Sequence, residues 1–217
     1  MPNVLGGIFM LVETIMRKNV VILTPSDTIR NARDLMKEHD IRHIPICVDE
    51  KLIGIVSDRD IRDSLPSSLF PDGEERVLQS SVSKIMTENT LTAHPLDFIE
   101  DAAKIIQKYR IGCLPIVCQQ KVVGLVTAAD VIQTFITITG ADMPSSQIEV
   151  LVNKNNACIQ EIVSIITSQK ATILSMLTYP TEIEDKFTLA FRIKTMNPLS
   201  LVERLKEEGQ DVLWPNI

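Results

Sequence analysis

Apolar residues along this chain follow two rhythms. In residues 44–48 (IPICV) and 52–56 (LIGIV) they run almost without interruption for the length of a strand. The polar Asp49, Glu50 and Lys51 lie between the two runs, which predicts a hairpin. Upstream, residues 20–25 (VVILTP) predict a short strand. Behind Asp27, apolar Ile29, Ala32, Leu35 and Met36 recur at helical spacing, which predicts a helix opened by that aspartate. A second helix is predicted after Ser57, where the apolar run of GIVSDRD stops and charge begins. The predicted order is strand, helix, strand, strand, helix.

Shifted by 70 positions, the chain matches itself without a gap. Met16 falls on Met86, Pro25 on Pro95, Asp27 on Asp97, Ala32 on Ala102, Pro45 on Pro115, Lys51 on Lys121, Gly54 on Gly124 and Asp60 on Asp130. Prolines and glycines holding register together with apolar residues indicate a duplicated structural unit. The second copy repeats the order with TLTAHP, a helix from Asp97 to Tyr109, LPIVC, VVGLV and a helix after Thr127 running to about Ile138. Residues 64–81 mix Pro, Ser, Gly and charge and predict a connecting loop. A unit of about fifty residues has little core of its own. Two copies packed face to face are therefore expected, with clefts between them.

From Gln147 the pattern changes. QIEVLV alternates as a strand; Ile159, Ile162, Val163 and Ile166 mark one helical face; ATILSMLTYP and KFTLAFRIK predict two strands around a polar turn. Asn197 is the expected cap of a helix with Pro198 at its first position and Gly209 beyond its end, and DVLWP predicts a last strand. The result is the βαββαβ order of a ferredoxin-like unit. Met10 is an alternative start, so the expected organisation is an extension (1–9), a first repeat (10–66), a linker (67–79), a second repeat (80–140) and a C-terminal domain (147–217).

Composition narrows the partners. The 217 residues carry a net charge of −6 and 4% aromatics, without a dense Lys/Arg cluster, which argues against nucleic acid. No uncharged run approaches the roughly 20 apolar residues of a membrane span. Cys47, Cys113, Cys118 and Cys158 show neither C-x-x-C pairing nor zinc-site spacing. With no basic start to a secretory signal, a reducing cytoplasm is the expected compartment. His39, His43 and His94 are scattered, and no hydrolase, P-loop or dinucleotide motif is present, so neither a catalytic nor a metal site is predicted.

The stretch GIVSDRD carries the one chemical signal. Ser57 with Asp60 can cap a helix as an aspartate form of the capping box. A strand running into a helix N-terminus also leaves N–H groups and a positive dipole end for an anionic or polyhydroxyl ligand. The twin stretch, GLVTAAD, places Thr127 and Asp130 likewise. Both readings can hold together.

Through IRHIPICVDEKLIGIVSDRDI and IGCLPIVCQQKVVGLVTAADV, each repeat resembles a cystathionine beta-synthase (CBS) domain, and the tandem resembles a Bateman module. The resemblance implies an α/β (α+β) fold with clefts that hold an adenine nucleotide such as AMP, ADP or ATP as a regulatory ligand. It implies that Asp60 and Asp130, with Ser57 and Thr127, take ribose hydroxyls. Arg42, His43, Ile44 and Pro45, and likewise Cys113, Leu114 and Pro115, are implied to lie against the base. Arg59, whose counterpart is Ala129, adds a guanidinium able to grip phosphate, so the phosphate-preferring site is expected to involve the first copy.

The C-terminal segment resembles an ACT domain, a regulatory unit that binds amino acids or pairs with a second copy. Where many ligand-binding members carry a glycine after the first strand, this chain has residues 153–157, NKNNA, which disfavours close approach of a ligand and favours a homodimer. The whole arrangement resembles an acetoin-utilisation family, which implies a role in acetoin or butanediol catabolism and a partner enzyme of acetoin or acetyl-CoA metabolism. The leading expectation is a non-enzymatic nucleotide sensor. The alternatives are a constitutive homodimeric scaffold and the soluble regulatory part of a transporter.

Overall fold

Both hairpins of the first repeat pair lie where continuous apolar runs meet two-residue polar turns. In the computed structural model, which describes residues 10–67, 72–154 and 158–216, β1 (His43–Val48) pairs with β2 (Lys51–Ser57) and β4 (Cys113–Cys118) with β5 (Lys121–Thr127), all antiparallel. The turn residues Asp49 and Glu50 have φ of 49° and 65°, and Gln119 and Gln120 have 49° and 66°. Left-handed backbone at both central positions matches the twist of a hairpin. The chain divides into two units, one through Val131 and one from Ile132.

In the first unit the strand order is β1-β2-β5-β4, and β3 (Thr87–Glu88) lies against β2. The repeats join at Lys51 opposite Lys121, supported by a Lys121–Glu50 ion pair. They share one sheet rather than pressing two sheets face to face.

The expected strands at 20–25 and 90–95 are each reduced to one bridging residue, Leu23 beside Ile46 and Ala93 beside Ile116. The cause lies in the next residues: the Asp27 carboxylate accepts the Thr24 N–H at 2.7 Å, and Asp97 accepts that of His94 at 2.7 Å, turning the chain out of the ladder. For the same reason helix α2 (Ile29–Glu38) starts after Thr28, whose hydroxyl accepts the Asn31 N–H, and α5 (Ile99–Tyr109) starts after Phe98. The second helix of each repeat, α3 (Asp58–Ser64) and α6 (Ala128–Ile138), follows Ser57 or Thr127 as expected.

Packing between the repeats is reciprocal. Helix α1 (Val12–Ile15) sends Val12, 0% exposed, into the core of the second repeat with Ala93, Ala102, Leu114 and Ile116. A 3₁₀ turn (Val82–Lys84) sends Val82 into the core of the first repeat with Ile29, Ala32, Ile44 and Ile46. Part of the expected linker is core as well. Helix α4 (Glu74–Leu78) buries Leu78 to 2% exposure, while residues 68–71 lie outside the described residues, as does the expected extension 1–9. The shared glycines serve this exchange: a Cβ on Gly54 would stand 2.9 Å from the Met86 sulfur, and one on Gly124 2.5 Å from that of Met16.

The second unit has the βαββαβ order: β6 (Ser146–Asn153), α7 (Cys158–Ser168), β7 (Ile173–Pro180), β8 (Lys186–Ile193), α8 (Leu199–Glu207) and β9 (Asp211–Trp214). Its sheet runs β7-β8-β6-β9. One face carries Ile148, Val150, Leu189 and Phe191, packed against Ile162, Ile166, Val202 and Leu205 of the two helices. Helix α8 starts one residue later than expected, with the Asn197 side chain accepting the Leu199 N–H at 3.1 Å. Gly209 beyond it adopts φ of 78°. Of the expected ligand loop at 153–157, residues 155–157 lie outside the described residues.

Candidate ligand cleft

Helix α3 opens with a complete capping box. Asp60 Oδ2 accepts the Ser57 N–H at 2.7 Å and the Ser57 hydroxyl at 2.6 Å, and the Asp60 N–H returns to Ser57 Oγ at 3.3 Å. The Thr127 and Asp130 pair repeats this at 2.8, 2.6 and 3.2 Å. Each aspartate therefore uses Oδ2 for its helix, and the two differ at Oδ1. Asp130 Oδ1 accepts Nε and a terminal nitrogen of Arg17 at 3.3 and 3.2 Å. Position 17 corresponds to Thr87, so no guanidinium stands in the equivalent place at Asp60. Among the described residues, Asp60 Oδ1 takes no hydrogen bond.

Around Asp60 lies a cleft of about 730 Å³. Arg42, Ser57, Arg59 and Arg62 reach it from the first repeat; Tyr109, Arg110 and Cys113 reach it from the end of α5 and the start of β4. Four guanidiniums, from Arg42, Arg59, Arg62 and Arg110, face two carboxylates, Asp58 and Asp60. Arg62 is engaged with Asp58 at 3.2 Å, which leaves a cationic surplus suited to an anion.

His43 and Cys113 border this space as well. His43 is half-buried, and desolvation holds its pKa below the ordinary value, against the opposing pull of Asp58 and Asp60. A Cβ on Gly112 would come within 2.9 Å of the His43 Nε2, so the missing side chain gives the imidazole its room. Burial pushes the Cys113 thiol far up, which keeps it protonated.

Of the residues expected to bind ligand, the structure gathers Arg42, His43, Ser57, Arg59, Asp60 and Cys113 at this cleft. Ile44 and Leu114 are 0% exposed and belong to the two cores, because successive strand residues face opposite sides. Pro45 and Pro115 are buried too, and their carbonyls accept the N–H groups of Leu23 and Ala93 at 3.1 Å each. Thr127 and Asp130 sit apart, under Arg17. Sequence reasoning missed Arg62, Tyr109 and Arg110. For Tyr109 and Arg110 the only signal was the repeat, in which they match His39 and Asp40 at a helix end; Arg62, matched to Ile132, had none there.

Among the described residues, no group of three or more His, Cys, Asp or Glu could hold a metal ion, and no helix is long and apolar enough to cross a membrane.

Comparison with known proteins bears on the first unit. The family model of the CBS domain matches residues 12–67 and again 82–136. An inosine-5′-monophosphate dehydrogenase of Korarchaeum cryptofilum is 36% identical over 120 residues, 55% of this chain but 23% of that enzyme. The chain thus spans about a quarter of the length of that relative. A solved structure from Vibrio cholerae, provisionally named an acetoin utilization protein (AcuB), is 28% identical with a TM-score of 0.54, covering 63% of this chain and 98% of that one. The CBS domain pair of protein MJ0100, solved with 5′-methylthioadenosine and S-adenosyl-L-methionine, is 29% identical with a TM-score of 0.50, covering 58% and 94%. Matched twice, over half of its residues, this chain belongs to the CBS-domain family and carries two CBS domains in tandem.

Proposed function

We propose that the chain is a regulatory protein that senses an adenosine nucleotide in the cleft at Asp60. The carrying observation is the open Oδ1 of Asp60 beside four arginines, against an Asp130 Oδ1 already taken by Arg17. A ribose diol would donate to Asp60 Oδ1, as Ser57 already does to Oδ2. Arg59 would grip the phosphate with two hydrogen bonds, and the Tyr109 ring offers a face for the base. Arg42, His43 and Cys113 would border the ligand, while Ile44, Pro45, Leu114 and Pro115 hold the strands behind it. One nucleotide per chain is expected, with the site at Thr127 and Asp130 closed by the Arg17 ion pair. The adenosine ligands of the MJ0100 pair support the ligand class.

The protein would act by binding rather than catalysis, a reading supported by the match of the CBS family model to residues 12–67 and 82–136. Nucleotide binding would shift the relative packing of CBS domains 10–66 and 80–140, and so alter contact with a partner. It can do so only by binding one arrangement more tightly than the other. A role in acetoin use draws support from the name of the Vibrio cholerae structure; the partner would be an enzyme of acetoin or acetyl-CoA metabolism, met in the cytoplasm. The βαββαβ unit at 147–217, read as an ACT domain, supports pairing into a homodimer.

Calorimetric titration with AMP, ADP, ATP and S-adenosylmethionine tests the site. One of them is expected to bind the wild-type chain, with Asp60→Ala abolishing its heat and Asp130→Ala leaving it. Equal affinity in Asp60→Ala would overturn the assignment, and no heat with any compound would leave the constitutive scaffold as the better reading.

A further inference from the structure

We propose that the second unit holds a separate site for a short-chain aliphatic monocarboxylate, on the sheet face turned away from α7 and α8. A cavity of about 140 Å³ lies there between β7, β8 and the end of α6. Its floor follows from strand register: Ser175 is opposite Arg192, Leu177 opposite Ala190 and Tyr179 opposite Thr188. The floor therefore has a cationic end at Arg192, an apolar middle at Leu177 and Ala190, and an aromatic end at Tyr179. Phe135 of α6 and Thr139, the residue after its end, wall it. That wall is anchored, since Thr139 O accepts the Ser175 hydroxyl at 2.7 Å and the chain turns immediately afterwards at Gly140, with φ of 68°.

Arg192 is half-buried and held ready. Its guanidinium donates to Gln147 Oε1 at 2.9 Å and to Ser145 Oγ at 3.4 Å, and among the described residues it forms no ion pair with a carboxylate. Gln147 is itself oriented, because its Nε2 donates to Glu149 Oε1 at 2.6 Å, which turns the amide oxygen toward Arg192. A guanidinium has five N–H donors, so several remain for a planar carboxylate. The residues lining the cavity include no acid that could receive an ammonium group, so a simple carboxylate fits where an amino acid leaves a buried charge unpaired. A cavity of about 150 Å³ accommodates a molecule of about six non-hydrogen atoms. Butyrate has that size, with a head for Arg192 and a tail for Leu177 and Ala190.

The test is calorimetric titration of the full chain with butyrate, 1-butanol, butylamine and norvaline. Butyrate is expected to bind, and the other three to bind at least about tenfold more weakly. Arg192→Gln should weaken butyrate by about tenfold or more. Leu177→Trp, which fills the middle of the cavity, should abolish binding, and circular dichroism would confirm that each variant is folded. Should Arg192→Gln fail to fold, Phe135→Ala gives an independent reading: Phe135 is 59% exposed, and its loss opens the wall and should weaken butyrate without unfolding the unit. Absence of butyrate heat, norvaline binding as tightly as butyrate, or unchanged affinity in the folded variants would each overturn the proposal. Asp60→Ala and Arg59→Gln separate this site from the nucleotide cleft: loss of butyrate binding in either would place the carboxylate among the cleft arginines and overturn the proposal, whatever the nucleotide result.

Discussion

Asp60 and Asp130 do the same work for their helices through Oδ2, and a single side chain, Arg17 against Thr87, separates their remaining chemistry. Arg17→Ala should uncover Asp130 Oδ1 and raise nucleotide stoichiometry from one to two per chain in a titration; a stoichiometry still at one would show that the ion pair does not close the second site. Its effect on stability should be small, since the Arg17 side chain is 55% exposed and such pairs contribute up to about 1 kcal/mol. His43 gives a pH dependence at this scale. Burial favours its neutral form in the folded protein, so the unfolded chain takes up the proton first as pH falls below the ordinary value of 6.5. The contribution is fully present above that value and is lost as pH falls through the folded value. Urea unfolding at pH 7.5 and 5.5 should show more loss for wild type than for His43→Gln; equal losses would remove His43 as the cause.

The elements were legible where a local period decides them. Continuous apolar runs with three polar residues between them close as hairpins, and the 3.6-residue spacing of Ile29, Ala32 and Met36 can bury one face only as a helix. The segments at 20–25 and 90–95 misled because apolar content alone does not show that Asp27 and Asp97 take the next N–H groups. Helix α4 was hidden by a loop-like composition. Leu78 distinguishes the two readings: as core, Leu78→Ala should cost about 2–5 kcal/mol in chemical denaturation, the usual range for such a truncation. A change within about 0.5 kcal/mol would mark it as surface.

At the scale of the whole molecule, each CBS repeat lends its leading segment to the other. Removing residues through Arg17 should strip Val12 from the second core and lower hydrogen-exchange protection in β4 and β5, while β7 and β8 keep theirs; undiminished protection in β4 and β5 would contradict the exchange. If the C-terminal unit pairs, light scattering should give twice the 24.3 kDa of one chain, and the mass of a single chain would overturn the homodimer. By itself, the sequence determined the duplication, both hairpins, the two capped strand-to-helix turns and the βαββαβ order. These depend on neighbours a few residues away and on the two periods that strands and helices impose. Only the tertiary structure decided that Arg17 meets Asp130, that Tyr109 and Arg110 face Ser57 and Asp60, and that Arg192 heads a cavity under the end of α6. Those encounters join positions far apart in the chain. They follow from which buried side chains close each core, and a local pattern does not carry that information.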